Sequence, residues 1–377
     1  MKKLLTVLLA VLMIVGLTAC GGGSSSSDDS TAPAADDGVI QADIVLITDA
    51  KSVDDKGFNQ YSWVGVLAYA EPNGISHNYY MPTEQTTEQY VAQIDTAVKG
   101  GAKIIVCPGY LFGDAVSEAQ FTYPDVTFIC VDFTPADVQS NAIGVLFEEE
   151  ESGYLAGYAA VKEGFTKLGF AGAMAVPAVK NFGYGFVAGA EKAAEEMGLE
   201  PGSIEIKYNY TGEFAEKPEY VNTYNAWYTA GTEIIFGCGS PRNVFQAADT
   251  VNATADTKVW AIGVDTDCSD QSEWVMTSAM KNLAPVICEL ISEVYDGTFE
   301  GGRENYYNIN DDAVALPMAS SKFTNFTTAD YDAMVASLTG DNAFREALPT
   351  ASDYNTIKDY ADAGVLTYVN IEVLTDN

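Results

Sequence analysis

The chain has 377 residues, and 53 Asp and Glu against 19 Lys and Arg give it a formal net charge of −34. This acidity disfavours nucleic acid and anionic lipid as partners, because both carry negative charge. The length suits two domains better than a single hydrophobic core.

The N-terminus has the pattern of a secretory signal. Lys2 and Lys3 precede an apolar run over residues 4–17 that is shorter than the ~20 residues a membrane-spanning helix needs. "LTAC" resembles a bacterial lipobox, which predicts a signal peptide at 1–19 and a lipid on Cys20; a plain signal peptide ending in cysteine is the alternative. Residues 20–41, rich in Gly, Ser and Asp, are predicted to be a flexible tether. The protein would then be lipid-anchored on the extracytoplasmic face of the cell membrane.

Two series of alternating strands and helices follow. The first runs from "DIVLIT" through "KIIVCPG" and "VTFICVDF" to "AIGVLF", and the second from "KLGFAGAM" through "EIIFGCG" to "KVWAIGVD". Continuous Val, Ile and Phe runs are typical of parallel strands covered on both faces by helices. The pattern predicts an α/β protein with two doubly wound, Rossmann-like lobes. We assign 42–146 plus about 265–315 to the first lobe, and 147–264 plus about 316–377 to the second.

Polar, aromatic and glycine residues collect where the predicted strands end. Ligands of open α/β sheets bind beyond the carboxyl ends of the strands, so these residues are candidates for a binding site. They suit a ligand with flat faces and hydroxyl groups. Taken singly, each has a structural alternative; Asp54 and Asp55, for example, could be acids at a helix N-terminus. The candidates are Asp49, Asp54, Asp55, Lys56, Phe58, Asn59, Gly109, Tyr110, Phe112, Asp114, Lys180, Phe182, Tyr184, Phe186, Gly237, Gly239, Ser240, Asp265, Asp267 and Lys281.

Catalytic motifs are scarce in the sequence. His77 is the one histidine, and no zinc-site, nucleophile-elbow or phosphate-loop spacing is present. Neighbouring acids beside an aromatic residue leave a nucleoside hydrolase as a minor alternative. Five cysteines after the signal are interpreted as reduced and mostly buried, with one disulfide left open: Cys107, Cys130, Cys238, Cys268 and Cys288.

Five segments resemble, in the same order along the chain, the signature segments of the basic membrane protein family. They are "DAKSVDDKGFNQYSWVG", "VCPGYLFGDA", "VLFEEEESGYLAGYAA", "GFAGAMAVPAVKNFGYGFVAGA" and "VWAIGVDTD", and the resemblance covers about 42–317. Members are nucleoside-binding lipoproteins that serve as solute receptors of ABC importers. The resemblance implies a type I periplasmic-binding-protein fold, in which two lobes with parallel sheets are joined by a three-crossing hinge and close over a purine nucleoside.

The resemblance also implies roles for particular residues. Phe58 would stack on the purine with Asn59 beside it, and Phe186 would be a second aromatic. Asp49 and Asp114 would hydrogen-bond the base or line the slot that holds it. The ribose would be held by Gly237, Gly239, Asp265 and Lys281. The sequence departs from the family pattern at Lys51-Ser52-Val53 and at Gly57, and the atypical segment around Phe214 leaves that ring out of the predicted site.

The expected function is therefore a monomeric receptor and not an enzyme. Its partners would be a purine nucleoside and the subunits of an ABC permease, and it would need no cofactor or metal. Two other hypotheses remain open on the sequence. One is the same fold with a sugar or a signalling furanone as ligand, and the other is the nucleoside hydrolase. A surface interaction with other partners would be a secondary role at most.

Overall fold

The computed structural model describes residues 39–49, 51–340 and 342–375. The predicted signal peptide, Cys20 and residues 20–38 of the tether lie outside the described residues. Within the described ranges, no helix is both long enough and apolar enough to cross a membrane.

The strands are short and mostly buried. They are β1 (Ile44–Ile47), β2 (His77–Tyr80), β3 (Ile104–Pro108), β4 (Thr127–Val131), β5 (Ala142–Phe147), β6 (Lys167–Gly172), β7 (Ile204–Tyr210), β8 (Ile234–Cys238), β9 (Trp260–Asp265), β10 (Val275–Lys281), β11 (Arg303–Tyr307), β12 (Val314–Ala315) and β13 (Val369–Val373).

Helices alternate with these strands along most of the chain. They are α1 (Phe58–Asn73), α2 (Thr87–Lys99), α3 (Gly113–Thr122), α4 (Glu149–Glu163), α5 (Pro177–Met197), α6 (Pro218–Thr229), α7 (Arg242–Asn252), α8 (Leu283–Asp296), α9 (Thr328–Leu338) and α10 (Ile357–Asp362). Short 3₁₀ turns occupy Tyr110–Phe112, Ile309–Asp311 and Arg345–Ala347.

The strands form two sheets, one in each lobe. The first sheet has the order β11-β5-β4-β3-β1-β2, and the second β12-β10-β9-β8-β6-β7-β13. All neighbours are parallel except β10 and β12, which are antiparallel. This is the doubly wound arrangement that the alternating pattern predicted.

Each sheet is buried on both faces, as its apolar strands require. In β1, Val45 and Ile47 pack into one core, while Ile44 and Leu46 pack into another on the opposite face. Successive side chains of a strand point to opposite faces, so a four-residue run with every position buried needs helices on both sides.

The lobe boundaries differ from the predicted ones. β10 pairs with β9 in the second sheet, and β12 pairs with β10, so 265–281 and 314–315 belong to the second lobe. The returning part of the first lobe is α8, in the same core as α1, together with β11, which pairs with β5. Local apolar patterning identifies a strand but does not say which sheet it joins. The three crossings between the lobes therefore follow β5, β10 and β11.

Candidate ligand-binding cleft

A cleft lies where the carboxyl ends of both sets of strands face each other. Its empty volume is about 960 Å³, counting the part open to solvent. The first lobe contributes Asp49, Lys51, Asp55, Lys56, Gly57, Phe58, Asn59, Gly109, Tyr110, Leu111 and Asp132. The second contributes Val176, Ala178, Val179, Phe182, Phe214, Glu216, Cys238, Gly239, Pro241, Arg242, Val264, Asp265, Cys268, Gln271 and Lys281. The cleft thus occupies the place where open α/β sheets bind ligands.

A buried ammonium group lies at the centre of the cleft. Lys281 ends β10, and its Nζ lies 2.8 and 2.7 Å from the two carboxylate oxygens of Asp132, across the lobe boundary. The same Nζ lies 3.3 Å from Oε1 of Glu149 and 3.9 Å from Oδ1 of Asp265. Burial alone would lower the pKa of Lys281, but these carboxylates raise it instead. Lys281 therefore stays a cation although its side chain is 1% exposed.

Two of the carboxyl groups titrate near neutral pH. Burial raises the pKa of Glu149 to about 7, against the lowering effect of Lys281. Burial likewise raises the pKa of Asp265 to about 6, again opposed by Lys281. Desolvation disfavours the charged form, and the ammonium of Lys281 does not fully offset it for these two acids. The charge of the cleft floor consequently changes between pH 6 and 7.

Aromatic rings surround the same ammonium group. The ring centroids of Phe58, Phe147 and Phe182 lie 5.2, 5.3 and 5.7 Å from Nζ of Lys281. At these distances the negative faces of the rings attract a cation. Phe58 from the first lobe and Phe182 from the second also line the cleft. The arrangement puts flat apolar faces from both lobes next to a charged hydrogen-bonding group.

Asn59 organises the acidic side chains at the start of α1. Its Nδ2 donates to Oδ1 of Asp49 at 2.9 Å and to Oδ2 of Asp55 at 3.0 Å. Asp55 also accepts from the backbone N–H groups of Gly57 and Gln60, at 2.9 and 3.1 Å. The alternative interpretation of Asp55 as an acid at a helix N-terminus is thus confirmed. Asn59 uses its amide within the loop, so its main effect is to orient Asp49.

Six of the nine predicted ligand-binding residues line the cleft. They are Asp49, Phe58, Asn59, Gly239, Asp265 and Lys281. Gly239 has a φ of +86°, and a Cβ there would lie 2.8 Å from Cβ of Ala173 and 3.0 Å from the ring of Phe214. Both the conformation and the close approach require glycine at this position. That these six residues contact a ligand stays a prediction.

The other three predicted residues do not line the cleft. Phe186 is fully buried and packs against Phe236, with ring centroids 5.5 Å apart. Phe182, one helical turn nearer the start of α5, reaches the cleft instead. Asp114 is in the first turn of α3 and borders a separate depression on the first lobe. Gly237 is inside β8, where a Cβ would lie 2.8 Å from Cα of Pro241, so the glycine serves packing.

Four important residues were missing from the predicted site. Asp132 directly follows β4, so the strand-end rule could have found it. Phe182 was a strand-end candidate, but its helix gave no reason to prefer it over Phe186. Phe214 was set aside because its segment is atypical. Glu149 stands in a run of four glutamates, and the sequence does not indicate which of the four contacts Lys281.

The cysteines agree with the prediction of reduced thiols. All five in the described part of the chain are free, and Cys107, Cys130, Cys238 and Cys268 are buried. Burial raises the pKa of Cys238 and Cys268, the two that line the cleft, so both are protonated and unreactive at neutral pH.

Two Rossmann-like lobes, three crossings and a polar and aromatic cleft between the lobes define a solute-binding protein of the periplasmic type. A family model described as "ABC transporter substrate-binding protein PnrA-like" matches residues 42–337, and the chain belongs to this family, Bmp. The predicted family is confirmed. Its members are substrate-binding receptors and not enzymes. Such a receptor binds a small molecule outside the cytoplasm and works with a permease.

Curated relatives extend over most of the chain. An "ABC transporter nucleoside-binding protein BmpA" of Lactococcus lactis subsp. cremoris is 29% identical over 300 residues, which is 74% of this chain and 83% of that protein. A "CD4+ T-cell-stimulating antigen" of Listeria innocua is 27% identical over 72% of this chain and 79% of its own length.

Solved structures confirm the fold. An ABC transporter solute-binding protein from Aeropyrum pernix superposes with a TM-score of 0.66 at 19% identity, covering 83% of this chain and 88% of that one. At this level of identity the similarity concerns the fold alone.

Proposed function

We propose that the protein is a lipid-anchored receptor that binds a purine nucleoside between its lobes and delivers it to an ABC permease. One observation carries the proposal: the Phe58 and Phe182 rings, one from each lobe, lie beside the buried pair of Lys281 and Asp132. A nucleoside has the matching chemistry, with a flat base joined to a sugar that carries hydroxyl groups. The nucleoside-binding relative from Lactococcus lactis supports the same ligand class.

The rings would hold the base. Stacking of a base on an aromatic side chain contributes ~1–3 kcal/mol per base by alanine substitution. Asp49, oriented by Asn59, would accept hydrogen bonds from N–H groups on the edge of the base.

The charged cluster would hold the ribose. Asp265 would accept from the hydroxyl groups, and Lys281 would donate to a hydroxyl oxygen. Each such charge-assisted hydrogen bond contributes ~1.5–3 kcal/mol. Together with stacking, and after ordering costs are deducted, this suits a dissociation constant near micromolar, or ~8 kcal/mol of binding energy.

Contacts across the mouth would keep a ligand enclosed. Nε2 of Gln271 in the second lobe donates to the carbonyl oxygen of Lys56 in the first, at 2.9 Å. Nζ of Lys51 donates to the carbonyl oxygen of Gly239 at 3.4 Å. Opening by hinge motion at the three crossings would break these contacts and release the ligand.

The location and partners follow from the same proposal. A lipid on Cys20 would hold a monomer at the outer face of the membrane, and the tether over 20–41 would let it reach the permease. Labelling cells with a radioactive fatty acid tests the anchor, and Cys20→Ala should abolish the label. Label that persists in the variant would contradict it.

A direct test begins with the purified protein. Denaturation and mass spectrometry identify any small molecule that co-purifies, and calorimetry then compares inosine, guanosine, adenosine, cytidine and ribose. We expect a purine nucleoside to bind most tightly. Tightest binding of ribose, or of no nucleoside at all, would contradict the proposal.

Substitution of the two rings tests the stacking. Phe58→Ala and Phe182→Ala should each weaken the binding of inosine by about fivefold to 150-fold, since losing one stack costs ~1–3 kcal/mol. Phe186→Ala is unsuitable as a control, because it would open a cavity in the core. Ribose is the control ligand: its affinity should change much less, and an equal loss for inosine and ribose would argue against a stacked base.

A further inference from the structure

The C-terminal segment over residues 338–375 lies beyond the region that the family model matches. It packs on the second lobe, where β13 adds a parallel edge strand next to β7. Its backbone is held at several points; Glu191, for example, accepts from the N–H groups of Thr367 and Val369 at 2.7 and 2.9 Å. The described residues of this segment, 338–340 and 342–375, are therefore part of this lobe.

A chain of contacts connects this segment to the cleft. The backbone N–H of Ala351 donates to Oδ1 of Asn181 at 2.8 Å. Nδ2 of Asn181 donates to Oε2 of Glu149 at 3.1 Å. Oε1 of Glu149 lies 3.3 Å from Nζ of Lys281. One carboxylate thus joins the C-terminal segment to the ammonium at the cleft floor.

Glu149 differs from the other acidic partners of Lys281 in two ways. Asp132 belongs to the first lobe, so the proposed opening of the lobes would move it away from Lys281. Asp265 lines the cleft, where it would bind the ligand, whereas Glu149 lies behind the lining. Glu149 begins α4 in the second lobe and is 3% exposed. It can therefore hold Lys281 whether the lobes are open or closed.

We propose that Glu149 is a positioning residue for Lys281, and that Asn181 ties it to the C-terminal segment, so that the charge on Glu149 makes ligand affinity depend on pH. The proposal rests on the proposed function, in which Lys281 contacts the ligand. It assigns a role to a residue that touches no ligand and to a segment outside the matched family region.

The direction of the pH effect follows from the groups that face Glu149. These are Lys281 at the end of β10, Asp132 after β4, Asn181 on α5, Glu150 on its own helix, Cys238 at the end of β8 and Tyr306 on β11. Burial, partly offset by Lys281, raises the pKa of Glu149 to about 7. Above this pH the carboxylate is ionised and holds the ammonium. Below this pH the carboxyl group is protonated, so its attraction for the Lys281 ammonium weakens and the affinity for the ligand falls.

Calorimetry with inosine at about pH 8 and about pH 6.5 measures this effect. With the carboxyl group titrating near 7, its ionised fraction drops about fourfold between these values, and we expect affinity to fall by about the same factor. Glu149→Gln should bind more weakly at the higher pH and keep only the fall of about 1.3-fold that Asp265, titrating near 6, gives over this range. A fall of about fourfold that survives in this variant overturns the proposal, because a group other than Glu149 would then be its source.

Asn181→Asp tests the connection through the amide. This variant keeps the acceptor for the Ala351 N–H but sets a second carboxylate against Glu149. Like charges raise the pKa of a carboxyl group, so the fall in affinity should begin at a higher pH. A midpoint that does not move contradicts the proposal. This variant also tests the role of Glu149 if Glu149→Gln fails to fold, as judged by circular dichroism.

Glu151→Gln is the matched control. Glu151 lies in the same helical turn, and burial also raises its pKa to about 7, but it faces Arg345 and the Ile309 N–H. Glu151→Gln should keep the wild-type dependence of inosine affinity on pH. If the affinity of this variant does not change with pH, the effect arises at the hinge through Glu151, and the proposed role of Glu149 is overturned. If the wild-type protein binds no nucleoside at any pH, the proposed function fails rather than this inference.

Discussion

Lys281 owes its charged state to neighbours from both lobes. Asp132, Glu149 and Asp265 come from three different strand or helix ends, and together they offset the cost of burying an ammonium. Such an arrangement is sensitive to the loss of its cation, because several carboxylates would then be buried without a counter-charge.

Lys281→Met should therefore destabilise the folded protein as well as weaken binding. Breaking a buried ion pair typically costs about 3–5 kcal/mol. Urea unfolding at neutral pH measures the change in the free energy of unfolding. Lys103→Met is the control, since Lys103 makes an exposed pair with Asp43 and its loss should cost ~1 kcal/mol or less. Equal effects of the two substitutions would mean that the cluster does not stabilise the fold.

At the scale of elements, α4 and α5 form a contact that shapes the site. Gly153 and Gly157 of α4 face α5, and Gly185 and Gly189 of α5 face α4. A Cβ at any of these positions would overlap a backbone carbonyl oxygen of the other helix. Since Glu149 begins α4 and Phe182 lies near the start of α5, this close packing brings the two together.

Gly157→Ala should consequently disturb both stability and binding. Its Cβ would overlap the carbonyl oxygen of Phe186, and overpacking of a core costs typically ~1–3 kcal/mol, occasionally more. Thermal unfolding measures the change. Gly113→Ala is the matched control, because that helical glycine has no neighbouring atom within 4 Å of the added Cβ. We expect the control to be neutral or stabilising by ~0.5–1 kcal/mol.

At the scale of the whole molecule, buried acids make stability depend on pH. Burial raises the pKa of Glu149 and Glu151 to about 7 and of Asp265 to about 6, and raises that of Glu150 well above its usual value. In the unfolded chain such groups titrate near ~4. Between these values the native state binds more protons than the unfolded state, so the free energy of unfolding increases as pH falls.

We therefore expect the midpoint of thermal unfolding to rise as pH is lowered from about 7 to about 5.5, by roughly 2–4 °C for each kcal/mol gained. The formal charge of −34 acts in the same direction, because protonation reduces self-repulsion. Glu151→Gln should make the rise smaller. A midpoint that drops over this range would contradict the pKa shifts. Stability and ligand affinity would thus respond to pH in opposite directions.

Much of this architecture could be predicted from local sequence. Continuous runs such as "KIIVCPG" indicated strands covered on both faces, and ordered signature segments indicated the family. The strand-end rule found Asp49, Phe58, Asp265 and Lys281, because parallel strands bring their carboxyl ends to one edge whatever the details of packing.

Other features depend on contacts between segments that are distant in the sequence. Whether Phe182 or Phe186 reaches the cleft depends on where α5 sits against α4, and the glycine contacts that set this position join residues about 30 apart. The sheet that β10 joins and the acids that meet Lys281 also depend on pairings between distant segments. Local periodicity and motif order were enough to predict the elements, the family and the edge of the sheets that carries the site. The packing of distant helices and strands decided which side chains share the cleft.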